Sequence, residues 1–364
     1  MLVLGIETSC DETAASVVEA DGPGPVGHVR SNVVRAQLRE HERFGGVVPE
    51  LAARAHLEHI DAIVAKAMAE SGVGFADLDA VAATGGPGLI GGVIVGTMTA
   101  KAIALAHDKP FVAVNHLEGH ALTVRLVEPV TFPFLLLLVS GGHCQLLAVD
   151  GVGSYTRLGT TIDDAVGECF DKTAKLLDLG FPGGPAVERA ARAGDPRRFD
   201  LPRPLWRKPG CDFSFSGLKT AVRLVAATLV AGDATGIADL AASFQRTVGD
   251  VLVDRCANAF DLFRHRVGNG DGGTVTMVVA GGVAANLHLR ERLSGLAEAR
   301  NGRLVAPPVA LCTDNAAMIA WAGLERFRLG MVDGLDFAPR PRWPLDEKAR
   351  AAIGRSGVGA GVKV

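Results

Sequence analysis

Three times along this chain a short apolar run stops at a glycine or polar turn. Residues 3–6 run into ETSCDET, residues 135–139 into SGGH, and residues 275–280 into GGVAAN, after which helical spacing begins. Glycine supplies 45 of the 364 residues, well above an ordinary share of about 7%, and much of it falls just after such runs. The first two junctions are alike. Each is a strand, a tight polar turn and a second apolar run (residues 14–18 and 145–149), the pattern of a β-hairpin. Helical apolar spacing recurs at 49–68 and 92–107, then at 161–177, 217–231, 237–264 and 315–329. The chain therefore reads as two copies of one α/β unit, each opening with a hairpin whose turn faces a shared cleft.

Two units also suit the length, since one core rarely serves more than about 250–300 residues. The longest apolar stretch, 132–139, is far short of the roughly 20 residues a membrane helix needs, so no membrane association is expected. The opening Met-Leu-Val-Leu-Gly-Ile-Glu has no basic stretch before it and reads as a strand rather than a secretion signal. Cys10, Cys144, Cys169, Cys211, Cys256 and Cys312 form no CxxC pair, which suits reduced thiols in a cytoplasmic protein. The last dozen residues, Gly, Ala and Val without period, are expected to be disordered. A net charge of −3 gives no global attraction to nucleic acid, so an RNA substrate needs a local basic patch or a partner that supplies one. One Tyr and 5% aromatics argue against a base-stacking sheet.

The chemistry centres on His116-Leu-Glu-Gly-His120, just after the strand-like residues 111–114. If the segment is helical, the i, i+4 spacing puts both imidazoles on one face, suited to one metal ion. Glu118 would then point off that face, unlike the Glu of zincin proteases, which follows the first His directly. Asp314, just ahead of a helical segment, suits both a third ligand and an N-cap. Two His and one carboxylate leave coordination positions open, as in a catalytic Zn²⁺ or Fe²⁺ site.

Duplicated units with hairpin turns facing a cleft resemble the actin-like, sugar-kinase-like (ASKHA) superfold, in which the two turns hold nucleotide phosphates and a later Gly-Gly turn holds the adenosine. Specific blocks go further. GIETSCDET (5–13), GGVVPELAAR (45–54), NHLEGH (115–120), LVSGGH (138–143), IDDAVGECFDKTAKLL (162–177), FPGGP (181–185), DFSFSGLKT (212–220), AGGVAAN (280–286), CTDNAAMIA (312–320) and RPRWPL (340–345) resemble the TsaD family, in family order over residues 1–345. The departures are small: Cys144 where Thr is common, Ala284 where Ser is common, and Asn115 where some members carry an extra His.

The resemblance implies a tRNA N(6)-adenosine threonylcarbamoyltransferase that moves the threonylcarbamoyl group from threonylcarbamoyl-AMP to adenosine 37 of tRNAs reading codons that begin with A, releasing AMP. It implies His116, His120 and Asp314 as ligands of one divalent ion, Fe²⁺ or Zn²⁺. It implies Leu138, Val139, Ser140, Gly141, Gly142, Asp171, Gly184 and Asn286 as adenylate-binding positions, and Asp11 as the catalytic carboxylate. It further implies partners: an inactive TsaB-like ASKHA paralogue and a small TsaE-like P-loop ATPase. The domains expected are 1–130, with a C-terminal helix at about 315–345 packing back on it, and 131–314. Rival readings are an ATPase or kinase of the same superfold, which has no use for the two histidines, and a scaffold paralogue, which would lack them.

Three further features were weighed on the residues alone. His56 and His59, at i and i+3, read as an ordinary solvated pair on an amphipathic helix. Cys10 and Cys312 flank the proposed site and read as small buried thiols. The segment 188–210 carries Arg189, Arg192, Arg197, Arg198, Arg203, Arg207 and Lys208 against Glu188, Asp195 and Asp200, and is the leading candidate for tRNA contact, with RPRWPL second.

Overall fold

In a computed structural model the described residues are 1–349 except 43, 45, 231 and 269–272; the expected disorder of the last dozen residues lies outside them. One sheet contains β1 (Leu2–Glu7), β2 (Glu12–Glu19), β3 (His28–Ala36), β4 (Ala80–Gly86) and β5 (Phe111–Asn115). The other contains β6 (Phe134–Val139), β7 (Cys144–Gly151), β8 (Ser154–Thr160), β9 (Val275–Ala280) and β10 (Gly302–Val305). Their orders are β3-β2-β1-β4-β5 and β10-β9-β6-β7-β8. Read from β8, the second order matches the first. In each sheet an antiparallel three-strand meander is extended by two parallel strands, so the duplication expected from the two hairpins is present strand for strand.

The helices are α1 (Leu38–Glu42), α2 (Pro49–Ser71), α3 (Ile90–Ala106), α4 (His116–Val127), α5 (Val166–Leu176), α6 (Gly183–Ala191), α7 (Ser216–Ala226), α8 (Ala234–Val267), α9 (Leu287–Ala299) and α10 (Ala316–Arg328). None is long and apolar enough to cross a membrane among the described residues. Two differ from the sequence expectation. The helix expected from 161 starts only at Val166, because Asp163 instead accepts hydrogen bonds from Ser214 Oγ, Ser216 Oγ and the Phe215 and Ser216 amides at the start of α7. Helix α10 stops at Arg328 rather than near 345. Gly330 takes a left-handed φ of 71° there, and the following chain runs back along the first sheet through a bridge from Asp333 to Phe111.

Helices α4 and α10 position the site. The apolar face of α4, with Leu117, Ala121 and Val124, packs into the core of the second sheet beside Leu136, Leu138 and Val278. Helix α10 returns to the first sheet, where Ile319, Ala320 and Trp321 join Val3, Ala82 and Val112. The two helices lie side by side, clamped by the buried pair Arg125–Glu325 (Nη2–Oε1 2.7 Å). A buried pair of this kind is costly to break from one side, by about 3–5 kcal/mol.

Candidate metal centre and cleft

The N-termini of α4 and α10 meet where the two sheets face each other. Asn115 caps α4, its Oδ1 accepting from the Leu117 amide, and Asn315 caps α10, accepting from the Met318 amide. Because Asn315 takes the cap, Asp314 does not. His116 and His120 share the inner face of α4, and the ligand atoms of His116, His120 and Asp314 all lie within 4.8 Å of one another. His120 Nε2 stands 3.0 Å and His116 Nε2 3.6 Å from Asp314 Oδ1. Glu118 faces away, as the spacing predicts: it accepts from the Gly153 amide, Tyr155 Oη and Arg326 Nη1, beside a separate cavity of about 640 Å³ reaching Trp343.

The donor set fits a divalent ion. The Nδ1–H of His116 donates to Glu7 Oε2 at 2.9 Å, which fixes the tautomer and leaves Nε2 for the metal side. Glu7 is held in turn by Thr84 Oγ1 (2.6 Å) and the Ser9 amide (2.5 Å). The site is anionic without a cation. Burial opposes the charge on Glu7, but His116 outweighs it and holds the carboxyl below its usual range. Burial also opposes the charge on His116, yet Glu7 and Asp314 raise it to about 9. Burial opposes ionisation of Asp314 as well; His116 and His120 hold it well below the carboxylate range. A divalent ion would replace a proton here.

Two residues to which the sequence reading assigned no role border the site. Glu7 is one, hidden by its place as the last residue of β1. The other is His143, which ends the second hairpin turn. Its imidazole is pushed down to about 4, by burial first and then by His116 and His120, and its buried Nε2 has no hydrogen-bond partner among the described residues.

The remaining predicted positions lie at the two hairpin turns and on or just before helices of the second half. Asp11 stands in the first hairpin turn, its carbonyl accepting from the Gln37 amide. Glu12, next to it, has its carboxyl pushed up, by burial first and then by Asp314, Asp11 and Glu7. Leu138 and Val139 end β6, and Ser140 to His143 form a closed turn in which the Ser140 amide donates to the His143 carbonyl. Gly141 and Gly142 have open space above them, whereas a Cβ at Gly281 would meet the Val139 carbonyl at 2.4 Å. Asp171 accepts from the Gly183 amide at 2.9 Å, and its carboxyl is raised, by burial first and then in part by the charge of Asp11 across the cleft. Gly184 is the second residue of α6, next to Gly183. Asn286 caps α9 through Oδ1 and donates from Nδ2 to Gln245, so both ends of its amide are already engaged.

One further expectation is corrected: His56 is not solvated but fully buried, at 0% exposure. The thiols of Cys10 and Cys312 agree with theirs: both are raised, by burial first, so neither is a ready nucleophile. Within 188–210, Arg198 is tied to Asp239 and Arg203 to Asp250, while Arg189, Arg192, Arg197, Arg207 and Lys208 are exposed.

A sequence profile for TsaD, described as tRNA N6-adenosine threonylcarbamoyltransferase, matches residues 28–321. The tRNA N6-adenosine threonylcarbamoyltransferase of Rhodospirillum rubrum is 63% identical over 360 residues, covering 98% of both chains. That of Paramagnetospirillum magneticum is 63% identical over 351 residues, covering 96% of this chain and 99% of that one. Among solved structures, HypF of T. kodakarensis superposes with a TM-score of 0.58 at 15% identity, over 91% of this chain and 48% of that one. The chain thus spans about half the length of that HypF, and the likeness concerns the fold alone: duplicated, actin-like and sugar-kinase-like.

Proposed function

The chain belongs to the TsaD family of tRNA N6-adenosine threonylcarbamoyltransferases and has that transferase activity, and we propose that it acts on threonylcarbamoyl-AMP and adenosine 37 of tRNAs reading codons that begin with A. In that reaction the adenine N6 forms a bond to the carbamoyl carbon, the bond from that carbon to the phosphate oxygen breaks, AMP departs, and one N6 proton is lost. The leaving group is good and the nucleophile is poor, because the amine lone pair is delocalised into the ring. Asp11 receives the proton. The turn of Leu138, Val139, Ser140, Gly141 and Gly142, with Asp171, Gly184 and Asn286, holds the adenylate, and the backbone amides of the glycine turn suit the departing phosphate.

His116, His120 and Asp314 hold one Fe²⁺ or Zn²⁺, which when bound supplies Lewis acidity toward the carbonyl or the threonyl end. The observation that carries this reading is the convergence of those three residues, from two halves of a duplicated chain, with His116 Nδ1 3.1 Å from Ser9 Oγ in the turn that bears Asp11. The target base must be unstacked to reach such a cleft, which is easiest in a loop.

We divide the chain into domains 1–130, with α10 returning to it, and 131–314. We assign it to the cytoplasm, in keeping with six free cysteines. The exposed basic residues of 189–208 serve tRNA. Its partners are an inactive TsaB-like paralogue and a small TsaE-like P-loop ATPase that serves repeated cycles. The test is nucleoside analysis of tRNA after a single turnover with preformed threonylcarbamoyl-AMP and ATP rigorously removed. Threonylcarbamoyladenosine forms without ATP on this account; an absolute ATP requirement would overturn the choice of donor.

A further inference from the structure

A chain of hydrogen bonds runs from the segment before α2 to the first hairpin turn, and every donor in it meets an acceptor. The Val48 amide donates to His41 Nδ1 (3.3 Å), and His41 Nε2–H donates to Gln37 Oε1 (3.2 Å). Thr13 Oγ1–H donates to His56 Nδ1 (2.8 Å), and Gln37 Nε2–H, 3.3 Å from the same nitrogen, also reaches the Ala52 carbonyl (3.4 Å). His56 Nε2 then lies 3.1 Å from the Cys10 carbonyl, which can only accept. The pattern admits one tautomer for His56, with its proton on Nε2. Burial also pushes its pKa down, which favours the neutral ring.

The ring is held on its other side as well. A Cβ at Gly92 of α3 would come within 3.0 Å of His56 Cδ2. The same stretch of α3 accepts from Thr8 Oγ1 through the Gly92 carbonyl, and the Leu89 amide donates to the Ser9 carbonyl. The turn from Thr8 to Asp11 is thus gripped by α3 at Thr8 and Ser9, by His56 at Cys10, and by the Gln37 amide at Asp11. His56 is the one side chain among these contacts to the turn's carbonyls, and it is buried beneath the turn rather than exposed in the cleft.

We propose that His56 is a positioning residue for threonylcarbamoyl transfer: its Nε2–H holds the Cys10 carbonyl and thereby sets where Asp11 stands relative to the substrate. The inference rests on the role given to Asp11 above. A buried histidine that only supports the fold would lower unfolding stability when replaced, without a rate difference between folded variants. One that positions the turn requires a donor at the Nε2 site, which glutamine reaches and asparagine, one bond shorter, does not.

The experiment compares His56→Gln with His56→Asn in single-turnover transfer, with metal content and donor affinity measured alongside. His56→Asn should transfer about 100-fold more slowly, the scale expected of a 1 Å misplacement of a reacting group, with bound metal and donor Kd unchanged. His56→Gln should recover most of the rate. Wild-type transfer by His56→Asn, or an equal loss in both variants, overturns the proposal. If His56→Asn does not fold, ring ¹⁵N shifts of the wild-type protein decide: the Nε2–H tautomer supports the proposal and the Nδ1–H tautomer contradicts it. Asp11→Asn is run in parallel. Its retention of activity would speak against Asp11 alone, because the contrast between glutamine and asparagine reads the turn directly.

Discussion

The two hairpin turns occupy equivalent places in equivalent sheets, yet they are built differently. The first, Thr8 to Asp11, is packed and wired: α3 presses on it, His56 and Gln37 hold its backbone, and Glu7 behind it orients His116. The second, Ser140 to His143, closes on itself; Gly167 and Gly281 back it, where a Cβ would meet the Ser140 and Val139 carbonyls at 2.4 Å each, but the space over Gly141 and Gly142 is open. Duplication supplied the same scaffold twice, and the side chains around each turn then divided the labour. On the proposed roles, a turn that holds the reacting carboxylate is braced from several sides, whereas a turn that admits a phosphate keeps room. Between them, the starts of α4 and α10 bring together His116, His120 and Asp314, a group that could hold a metal ion.

Removing a ligand of that triad should have the largest effect. His120→Ala should lower bound metal to background in elemental analysis and slow transfer by roughly 1,000-fold or more, since the ion contributes several kcal/mol to transition-state charge stabilisation; full metal retention would reject the assignment. Next come the glycines of the second half. Gly281→Ala places a Cβ at a left-handed φ of 93° and 2.4 Å from the Val139 carbonyl, which should cost about 1–3 kcal/mol in denaturant unfolding. Gly141→Ala should change stability by about 0.5 kcal/mol or less while weakening the donor, because the new methyl group occupies the open space. Equal stability losses at the two positions would remove the contrast drawn between a packed backbone and a kept space.

The contrast between halves was partly legible in the sequence. The strand-to-glycine junctions announced both hairpins, and the i, i+4 spacing announced the paired imidazoles, because periodicity is local. What lay beyond reach was long-range. Glu7 reads as the end of a strand until Thr84 and His116 fold onto it. His56 reads as solvated because its helix is amphipathic, and its burial depends on α3 arriving from residues 90–106. The basic segment shows its own acids in sequence, but not that α8 carries Asp239 and Asp250 to two of its arginines.

Electrostatics sharpens the picture further. His116 carries a proton up to about pH 9 in the absence of metal, because Glu7 and Asp314 outweigh burial. Metal must displace that proton, so affinity should rise between pH 6 and 9, by up to about tenfold per unit, and level off above; competition titration with a chelator measures it, and a flat profile would mean that His116 is not a ligand. The smallest effect is expected in the basic segment. Arg197→Ala with Arg207→Ala should reduce the salt-dependence slope of tRNA binding by about 1–2, whereas Arg198→Ala, already neutralised by Asp239, should leave the slope alone. Equal slopes in all three proteins would assign tRNA to another face.

The division of labour itself is tested by Asp11→Ala in single-turnover transfer from preformed threonylcarbamoyl-AMP, with rate, donor Kd and metal content read from the same preparation. The rate constant should fall by about 100- to 10,000-fold, the range of a lost general base, with metal retained and donor affinity unchanged because the adenylate rests on the other turn. A wild-type rate, or a loss expressed wholly as weaker donor binding, would contradict the account.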